Sequence, residues 1–201
     1  MAADPLTLLP AGPSTEIVAF RYANYDTPFW VRSNTMSGRW NLAEEAPTQY
    51  WALSSDAAWA ELMRSEGLRT EADLELVRMP LWACRIGASL LVDLNDPRRR
   101  DEFGIAEVAL VSDDWTACQE LGPTLRQQFM GVIAPCAALL GHSNLTLFGA
   151  RRAIEWISQP KLASTIRTSK VAIGRPPSSL IGRVQHHPPP ESTPGRLFST
   201  P

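Results

Sequence analysis

The apolar residues of this chain occur in short runs, each closed by polar or turn-forming residues, and this pattern limits the fold more than any other feature. Residues 17–20 form a run that ends on Arg21 and Tyr22, and residues 49–53 form a run that stops at Ser54. Runs of this length with β-branched or aromatic residues are typical of strands. The pattern predicts further strands over residues 74–86, 90–94, 131–134 and 144–148, with Pro80 indicating an edge strand or a bulge.

The polar triplet after the second predicted strand is a helix start signal. Ser54, Ser55 and Asp56 predict a helix over residues 57–67, with Gly67 as its stop. At 3.6 residues per turn the bulky residues of this helix share one face, and Glu61 falls among small residues on the other. Further helices are predicted over residues 115–121, 124–129 and 151–158, the first of them closed by Gly122 and Pro123. The basic run 98–100 is expected to be a solvated loop that the following acidic residues compensate.

Length and composition predict one domain of ordinary size. The chain has 201 residues, of which 44% are hydrophobic and 20% charged. We interpret residues 1–15 as a flexible lead-in, residues 16–173 as the domain, and the Pro-rich residues 174–201 as a disordered tail. The formal net charge of −2 provides no basic footprint for nucleic acid, so direct nucleic-acid binding is not expected.

The cysteines and the N-terminus argue for a reduced, non-exported protein. Cys84, Cys118 and Cys136 are odd in number and widely spaced, which predicts neither a disulfide framework nor a zinc site. The adjacent His186 and His187 have no nearby ligand partners in sequence, and we expect no metal there. The N-terminus lacks a basic, apolar signal sequence, and no apolar run approaches the ~18 residues of a membrane span. These features predict a cytoplasmic protein without membrane association.

Five residues of the N-terminal half fall at the ends of successive short elements: Arg21, Tyr22, Arg39, Tyr50 and Glu61. Guanidinium groups bind pyrophosphate, aromatic rings stack on flat ligands, and a carboxylate stabilises positive charge on a sugar carbon. Together they suit an anionic ligand that carries a ring. Each also has a simpler interpretation, since either arginine fits a surface ion pair, Tyr50 a core aromatic and Glu61 a solvated helix residue.

The same residues lie in an ordered set of motifs that resembles the RES domain family. The set covers about residues 16–158, and its pieces are Phe20-Arg21-Tyr22, Ser37-Gly38-Arg39-Trp40-Asn41, Tyr50-Trp51-Ala52-Leu53-Ser54, Ala60-Glu61-Leu62, Trp115-Thr116-Ala117-Cys118, Gly131-Val132-Ile133-Ala134-Pro135-Cys136-Ala137 and Asn144-Leu145-Thr146-Leu147-Phe148. RES proteins are known as NAD-degrading toxins of bacterial toxin–antitoxin pairs. The resemblance implies an α+β fold, with a mixed β-sheet core and flanking helices similar to the ADP-ribosyltransferases.

The resemblance also implies a function and a site. It implies an NAD phosphorylase or glycohydrolase that cleaves the nicotinamide–ribose bond, with inorganic phosphate or water as acceptor, NAD as substrate and no separate cofactor. It further implies an Xre-type antitoxin as protein partner. Arg39, Tyr50 and Glu61 are expected to be catalytic, and Arg21, Tyr22, Cys136 and Asn144 to bind substrate. In this picture the arginines hold the pyrophosphate, the tyrosines shape the nicotinamide side, and Glu61 bonds the ribose and stabilises the cation.

One position departs from the family pattern. The family serine follows a proline, and this chain has Cys136 after Pro135, while Ser143 is out of register. A thiol is a weaker hydrogen-bond donor than a hydroxyl, so activity is expected to fall or to change acceptor if that hydroxyl orients a neighbour. This leaves a second hypothesis, a degenerate RES domain that binds NAD or a protein without turnover. A third hypothesis, ADP-ribose transfer onto a macromolecule, rests on fold analogy alone.

Overall fold

The computed structural model of the chain describes residues 16–23, 36–43, 45, 48–87, 91–148 and 167–187. Over these residues the strands are β1 (Glu16–Tyr22), β2 (Thr48–Ala52), β3 (Met79–Gly87), β4 (Leu91–Asp93), β5 (Gly131–Pro135), β6 (Ser143–Phe148) and β7 (Arg167–Gly174). The helices are α1 (Ser55–Glu66), α2 (Glu71–Glu75), α3 (Pro97–Phe103), α4 (Glu107–Val111) and α5 (Thr116–Gln128), followed by a 3-10 turn (Ser178–Leu180).

The strands form one mixed sheet in the order β4-β5-β6-β2-β1-β3-β7. The β4–β5 pair is parallel, and every other neighbouring pair is antiparallel. One face of the sheet buries a cluster that includes Trp51 and Leu145. The other face carries two clusters, one around α1 and one around α4 and α5. The predicted α+β class with a mixed sheet and flanking helices is therefore confirmed.

Helix α1 forms for the local reasons that the sequence indicates. The Ser54 hydroxyl accepts a hydrogen bond from the Ala57 amide at 3.1 Å, and Gly67 ends the helix at φ 68°. A positive φ of this size is the left-handed conformation that glycine adopts at least cost. Trp59 and Met63 are buried as expected, and the small Ala57 and Ala58 are buried too. The helix is therefore buried over most of its circumference, by the sheet on one side and by residues such as Leu74 and Leu180 elsewhere.

Two predicted elements have different boundaries. The strand predicted over residues 74–86 is wrong at its start, because a capping box at Thr70 begins α2 and β3 starts only at Met79. Strand β3 is internal, between β1 and β7, and its register shifts between Leu81 and Trp82. Pro80 therefore marks an irregularity, as predicted, but not an edge. The predicted loop over residues 98–100 is a helix, since Asp96 caps α3 by accepting from the Arg98 amide at 3.0 Å.

The arginines of α3 are nevertheless compensated, in part as expected, because Glu102 follows the basic run whereas Asp96 precedes it and Glu107 lies further on. Their partners are Asp96, Glu102 and Glu107, at 3.2, 2.7 and 2.7 Å. Helix α5 runs through Pro123 instead of stopping there. Its buried Cys118 and Leu125 hold both halves of the helix in one core cluster, so packing outweighs the break that proline favours.

The predicted disordered tail is wrong for residues 174–187. Leu180 is 0% exposed and Val184 6%, and both pack in the same cluster as α1. The Pro- and Ser-rich composition conceals these two apolar anchors, whose burial offsets the entropy of ordering the segment. The predicted lead-in, the predicted helix over residues 151–158 and residues 188–201 lie outside the described residues.

Candidate active site

A cleft of about 450 Å³ lies on the sheet face that carries α1. Side chains alternate between the two faces of a strand, so Tyr22, Tyr50 and Asn144 share this face. Asn144 pairs with Ala52 on one neighbouring strand and with Ala134 on the other. Because both neighbours are alanines, the sheet leaves space above this point. The predicted site residues that line the cleft are Arg21, Tyr22, Arg39, Tyr50, Glu61 and Asn144.

The Glu61 carboxylate is held at one of its two oxygens. Oε1 accepts from the Asn144 amide nitrogen at 2.6 Å and from the Cys136 thiol at 3.3 Å. Among the described residues, none donates to Oε2. The carboxylate is thus fixed in direction while one oxygen remains available to a ligand in the cleft.

Tyr50 anchors the 36–43 loop through its hydroxyl. The hydroxyl donates to Asn41 Oδ1 at 2.7 Å and accepts from the Trp40 amide at 3.0 Å. Its surroundings raise the pKa of Tyr50 to about 12, chiefly because burial disfavours the phenolate. A Cβ on Gly38 would lie 2.5 Å from the hydroxyl oxygen, so this close approach requires glycine. The Tyr50 side chain therefore positions the loop that carries Arg39, besides lining the cleft.

Arg39 is fixed by a loop distant in sequence. Its Nη1 donates to the Ser112 carbonyl at 2.8 Å, and its guanidinium carbon lies 5.9 Å from the centre of the Trp115 ring. Trp115 also lines the cleft, and its indole N–H is buried without a partner among the described residues. Buried donors are normally paired, so this N–H suits a ligand acceptor. Arg39 and Trp115 together form the donor side of the cleft.

Arg21 is placed differently from Arg39. Its guanidinium carbon lies 5.8 Å from the centre of the Trp51 ring, and Trp51 packs in the core on the opposite face of the sheet. Arg21 therefore borders the cleft at the end of β1 and stacks away from its centre. Its role in holding pyrophosphate stays a prediction, and Arg39 is the better placed of the two.

Tyr22 lies beside the carboxylate. Burial raises the pKa of Tyr22 above its usual value, Ser65 lowers it by a hydrogen bond, and the negative charge of Glu61 raises it further. The phenol therefore stays protonated near neutral pH and adds no negative charge beside Glu61.

Known proteins with a similar sequence share one named activity. No protein-family model matches the chain. The probable NAD(+) phosphorylase Rv3189 of Mycobacterium tuberculosis is 32% identical over 112 residues, which are 55% of this chain and 53% of that protein. The NAD(+) phosphorylase MbcT of Mycobacterium bovis is 30% identical over 127 residues, which are 61% of this chain and 68% of MbcT. This chain belongs to the RES domain family.

A solved structure supports the same fold. The crystal structure of the M. tuberculosis MbcT–MbcA toxin–antitoxin complex matches with a TM-score of 0.58 at 22% identity, covering 79% of this chain and 86% of the matched one. At that identity the match establishes the fold alone. The RES domain of this chain aligns with only about half the length of Rv3189. The match therefore does not by itself assign the activity of the whole of Rv3189 to this chain.

The cysteine that replaces the RES family serine lies behind the carboxylate. Cys136 is 1% exposed and contacts Glu61 instead of lining the cleft, which differs from the substrate-binding role that the sequence predicts. Burial and then the Glu61 charge raise the pKa of Cys136 to about 12. The side chain is therefore a neutral thiol at pH 7, suited to donate to Glu61 and unsuited to attack as a thiolate.

Sequence reasoning assigned no role to several residues that line this RES cleft, among them Arg64, Trp115 and His187. Arg64 follows Glu61 by three positions on α1, so helical spacing could have indicated it. Trp115 lies in a family motif, yet nothing local assigns it a role. His187 reaches the cleft from the segment interpreted as a tail, and no short-range signal predicts a contact over that distance in sequence.

The described residues contain no group of three or more His, Cys, Asp or Glu side chains arranged to hold a metal ion. In the same residues, none of the helices combines the length and apolar character needed to cross a membrane.

Proposed function

We propose that this RES protein is an NAD(+) phosphorylase or glycohydrolase, which cleaves the bond between nicotinamide and ribose and transfers ADP-ribose to phosphate or water. The observation that carries the proposal is the Glu61 carboxylate, fixed by Asn144 and Cys136 in a cleft that also contains Arg39. The similar proteins MbcT and Rv3189, which are named as NAD(+) phosphorylases, support the same activity.

The proposed reaction assigns a role to each side of the cleft. As the bond from C1′ to nicotinamide breaks, its electron pair stays on the ring nitrogen, which becomes neutral, and positive charge develops on the ribose. The free oxygen of Glu61 bonds a ribose hydroxyl and stabilises that charge, because a preorganised carboxylate acts most strongly where charge develops. An oxygen of phosphate or water then bonds C1′, and where water is the acceptor its extra proton passes to the surrounding solvent. Nicotinamide leaves as a neutral molecule, so no strong general acid is needed.

The donor side binds the pyrophosphate. Arg39 presents a fork of N–H groups that suits phosphate oxygens, and the Trp115 indole N–H adds a further donor. Arg21 contributes positive charge at the edge of the cleft. Tyr22 and Tyr50 border the space for the nicotinamide and ribose. NAD is consumed as substrate in this proposal, and no separate cofactor takes part.

The proposed setting is a cytoplasmic toxin–antitoxin pair. Since MbcT was solved in complex with the antitoxin MbcA, we propose an antitoxin of the Xre type that covers the cleft of this chain. Adding such a partner should lower the rate of NAD loss. The more of the cleft the partner covers, the lower that rate should be. Continued NAD loss in a stable complex would contradict this part of the proposal.

The deciding experiment is an assay of nicotinamide release by the purified chain, with and without inorganic phosphate. We expect NAD loss that phosphate accelerates, and the mass of the second product identifies the acceptor as phosphate or water. A chain that is folded by circular dichroism and leaves NAD intact with phosphate present contradicts the proposal. Labelled NAD that marks a protein or nucleic acid supports macromolecular transfer instead.

The second candidate function, an RES domain that binds without turnover, depends on Cys136. The contact from the thiol to Glu61 at 3.3 Å disfavours it, because the thiol retains a donor to the carboxylate. Tight NAD binding without nicotinamide release would favour it.

A further inference from the structure

The Arg64 side chain connects α1 to three other segments. It is only 8% exposed. Its Nη1 donates to the Ala137 carbonyl at 2.6 Å and to the Gln185 carbonyl at 2.8 Å, and its Nη2 pairs with the Asp113 carboxylate. A guanidinium offers five N–H donors in a rigid plane, so one residue can hold all three partners in fixed directions.

Two of these segments also hold the site residues. Ala137 follows Cys136, which contacts Glu61. Asp113 follows Ser112, whose carbonyl holds Arg39. The contacts of Arg64 therefore join the carboxylate side of the cleft to the donor side.

The third segment, residues 175–187, contacts both of the other two. Its Gln185 amide donates to the Ala138 carbonyl at 2.8 Å, and His187 lies at the cleft. His187 Nε2 accepts from Arg64 Nε at 3.2 Å, and Nδ1 lies 2.8 Å from the Asp113 carboxylate. Both ring nitrogens are occupied, so this histidine does not offer a free base to the cleft.

We propose that Arg64 is a positioning residue, which together with Asp113 and His187 fixes the spacing between Glu61 and Arg39 across the cleft. The inference rests on the proposed function, because the spacing matters only if both side chains act on one substrate. In well-organised sites a misplacement of about 1 Å costs ~10²-fold in rate. Arg64 itself does not bind substrate phosphate, since protein acceptors surround its guanidinium.

The kinetic test compares Arg64→Gln, Arg64→Lys and a control, Arg98→Gln. The Arg98 side chain is 90% exposed and pairs with the neighbouring Asp96. We expect Arg64→Gln to lower kcat for nicotinamide release by ~10²-fold, because Glu61 acts mainly in the transition state, and to raise KM for NAD by no more than ~10-fold, because Arg39 keeps its own contact to Ser112. Lysine keeps the charge but lacks the planar fork, so it should restore kcat only in part. Wild-type kcat in Arg64→Gln would overturn the proposal.

A second measurement does not depend on catalysis. Hydrogen exchange of the Arg64→Gln protein should be at least ~10-fold faster in residues 112–116 and 178–187, and unchanged in β5. Unchanged exchange in residues 112–116 would overturn the link between the two sides of the cleft. If Arg64→Gln fails to fold, Asp113→Asn tests the same link, with a smaller effect expected in the same direction. If the wild type releases no nicotinamide, the proposed function fails while the exchange result still decides whether Arg64 joins the two sides.

Discussion

The carboxylate side and the donor side of the cleft are built in different ways. Glu61 lies on a capped helix whose neighbours are buried in the core, so regular packing sets its position. Arg39 lies in the 36–43 loop, which hydrogen bonds from distant residues hold in place. The Gln119 amide donates to the Gly38 carbonyl at 2.9 Å, and Arg126 donates to the Trp40 carbonyl at 3.0 Å. The comparison teaches that the donor side depends on a few long-range hydrogen bonds and one buried anchor, Trp40, whereas a whole helix packed in the core sets the position of the carboxylate side.

The largest expected effect is on the carboxylate side. Glu61→Gln removes the charge but leaves a carbonyl oxygen for the Asn144 amide, so the fold should persist. Because a lost charge stabiliser costs ~10²-fold or more, nicotinamide release should fall by at least that factor. The matched control is Glu66→Gln, a change at the exposed end of the same helix. Circular dichroism checks the fold, and near-normal release by Glu61→Gln would remove the carboxylate from the mechanism.

A smaller effect is expected on the donor side. Tyr50→Phe keeps the ring but leaves the buried Trp40 amide and the Asn41 side chain without their shared partner. An unsatisfied buried polar group costs about 1–3 kcal/mol, so the 36–43 loop should loosen and KM for NAD should rise about tenfold.

The control for Tyr50 is Leu42→Ala, which alters an exposed side chain of the same loop. If ring stacking alone explains Tyr50, the phenylalanine variant should bind NAD as tightly as the wild type. A rise in KM with little change in kcat would instead assign Tyr50 to positioning of the loop.

The difference between the carboxylate side and the donor side also explains which site residues could be predicted from the sequence. Glu61 was predictable because its signals are local: a polar cap at Ser54, helical spacing and a glycine stop. The alternation of side chains along β2 and β6 likewise indicates that Tyr50 and Asn144 share a face. The contacts of the Arg39 loop were not predictable, since Ser112 lies 73 positions from Arg39 and Arg126 lies 86 positions from Trp40. The local sequence around Arg39 contains no signal for these hydrogen bonds, because they form only when the folded sheet brings distant segments together.

Packing also overrode local signals elsewhere. Pro123 favours a helix end, yet buried residues on both sides keep α5 continuous. Residues 175–187 have the composition of a tail, yet Leu180 fills a site in the core beside α1. Average composition describes a segment poorly when one or two apolar residues determine where it packs.

Cys136 tests the carboxylate side with a subtler change. In Cys136→Ser a shorter but stronger donor faces Glu61, and because the thiol already makes this contact we expect kcat to change by less than about threefold. Cys84→Ser is the matched control, a buried thiol in a different cluster. A gain well above tenfold for Cys136→Ser alone would support a degenerate RES domain. With its pKa raised to about 12, Cys136 should also resist alkylation at pH 7 in the folded protein.

The smallest expected effect concerns the ion pair that joins the two sides. Burial alone would raise the pKa of Asp113, but hydrogen bonding from His187 and the charge of Arg64 hold it below its usual value. A carboxylate with a lowered folded-state pKa stabilises the fold above its unfolded pKa of 3.8, and this contribution is lost as the pH falls through the folded value. The Tm difference between the wild type and Asp113→Asn should therefore be largest near pH 7 and shrink below about pH 4. Because the Asp113 side chain is 43% exposed, the contribution should stay below about 1 kcal/mol. A Tm difference that grows as the pH falls would show that Asp113 acts through something other than its charge.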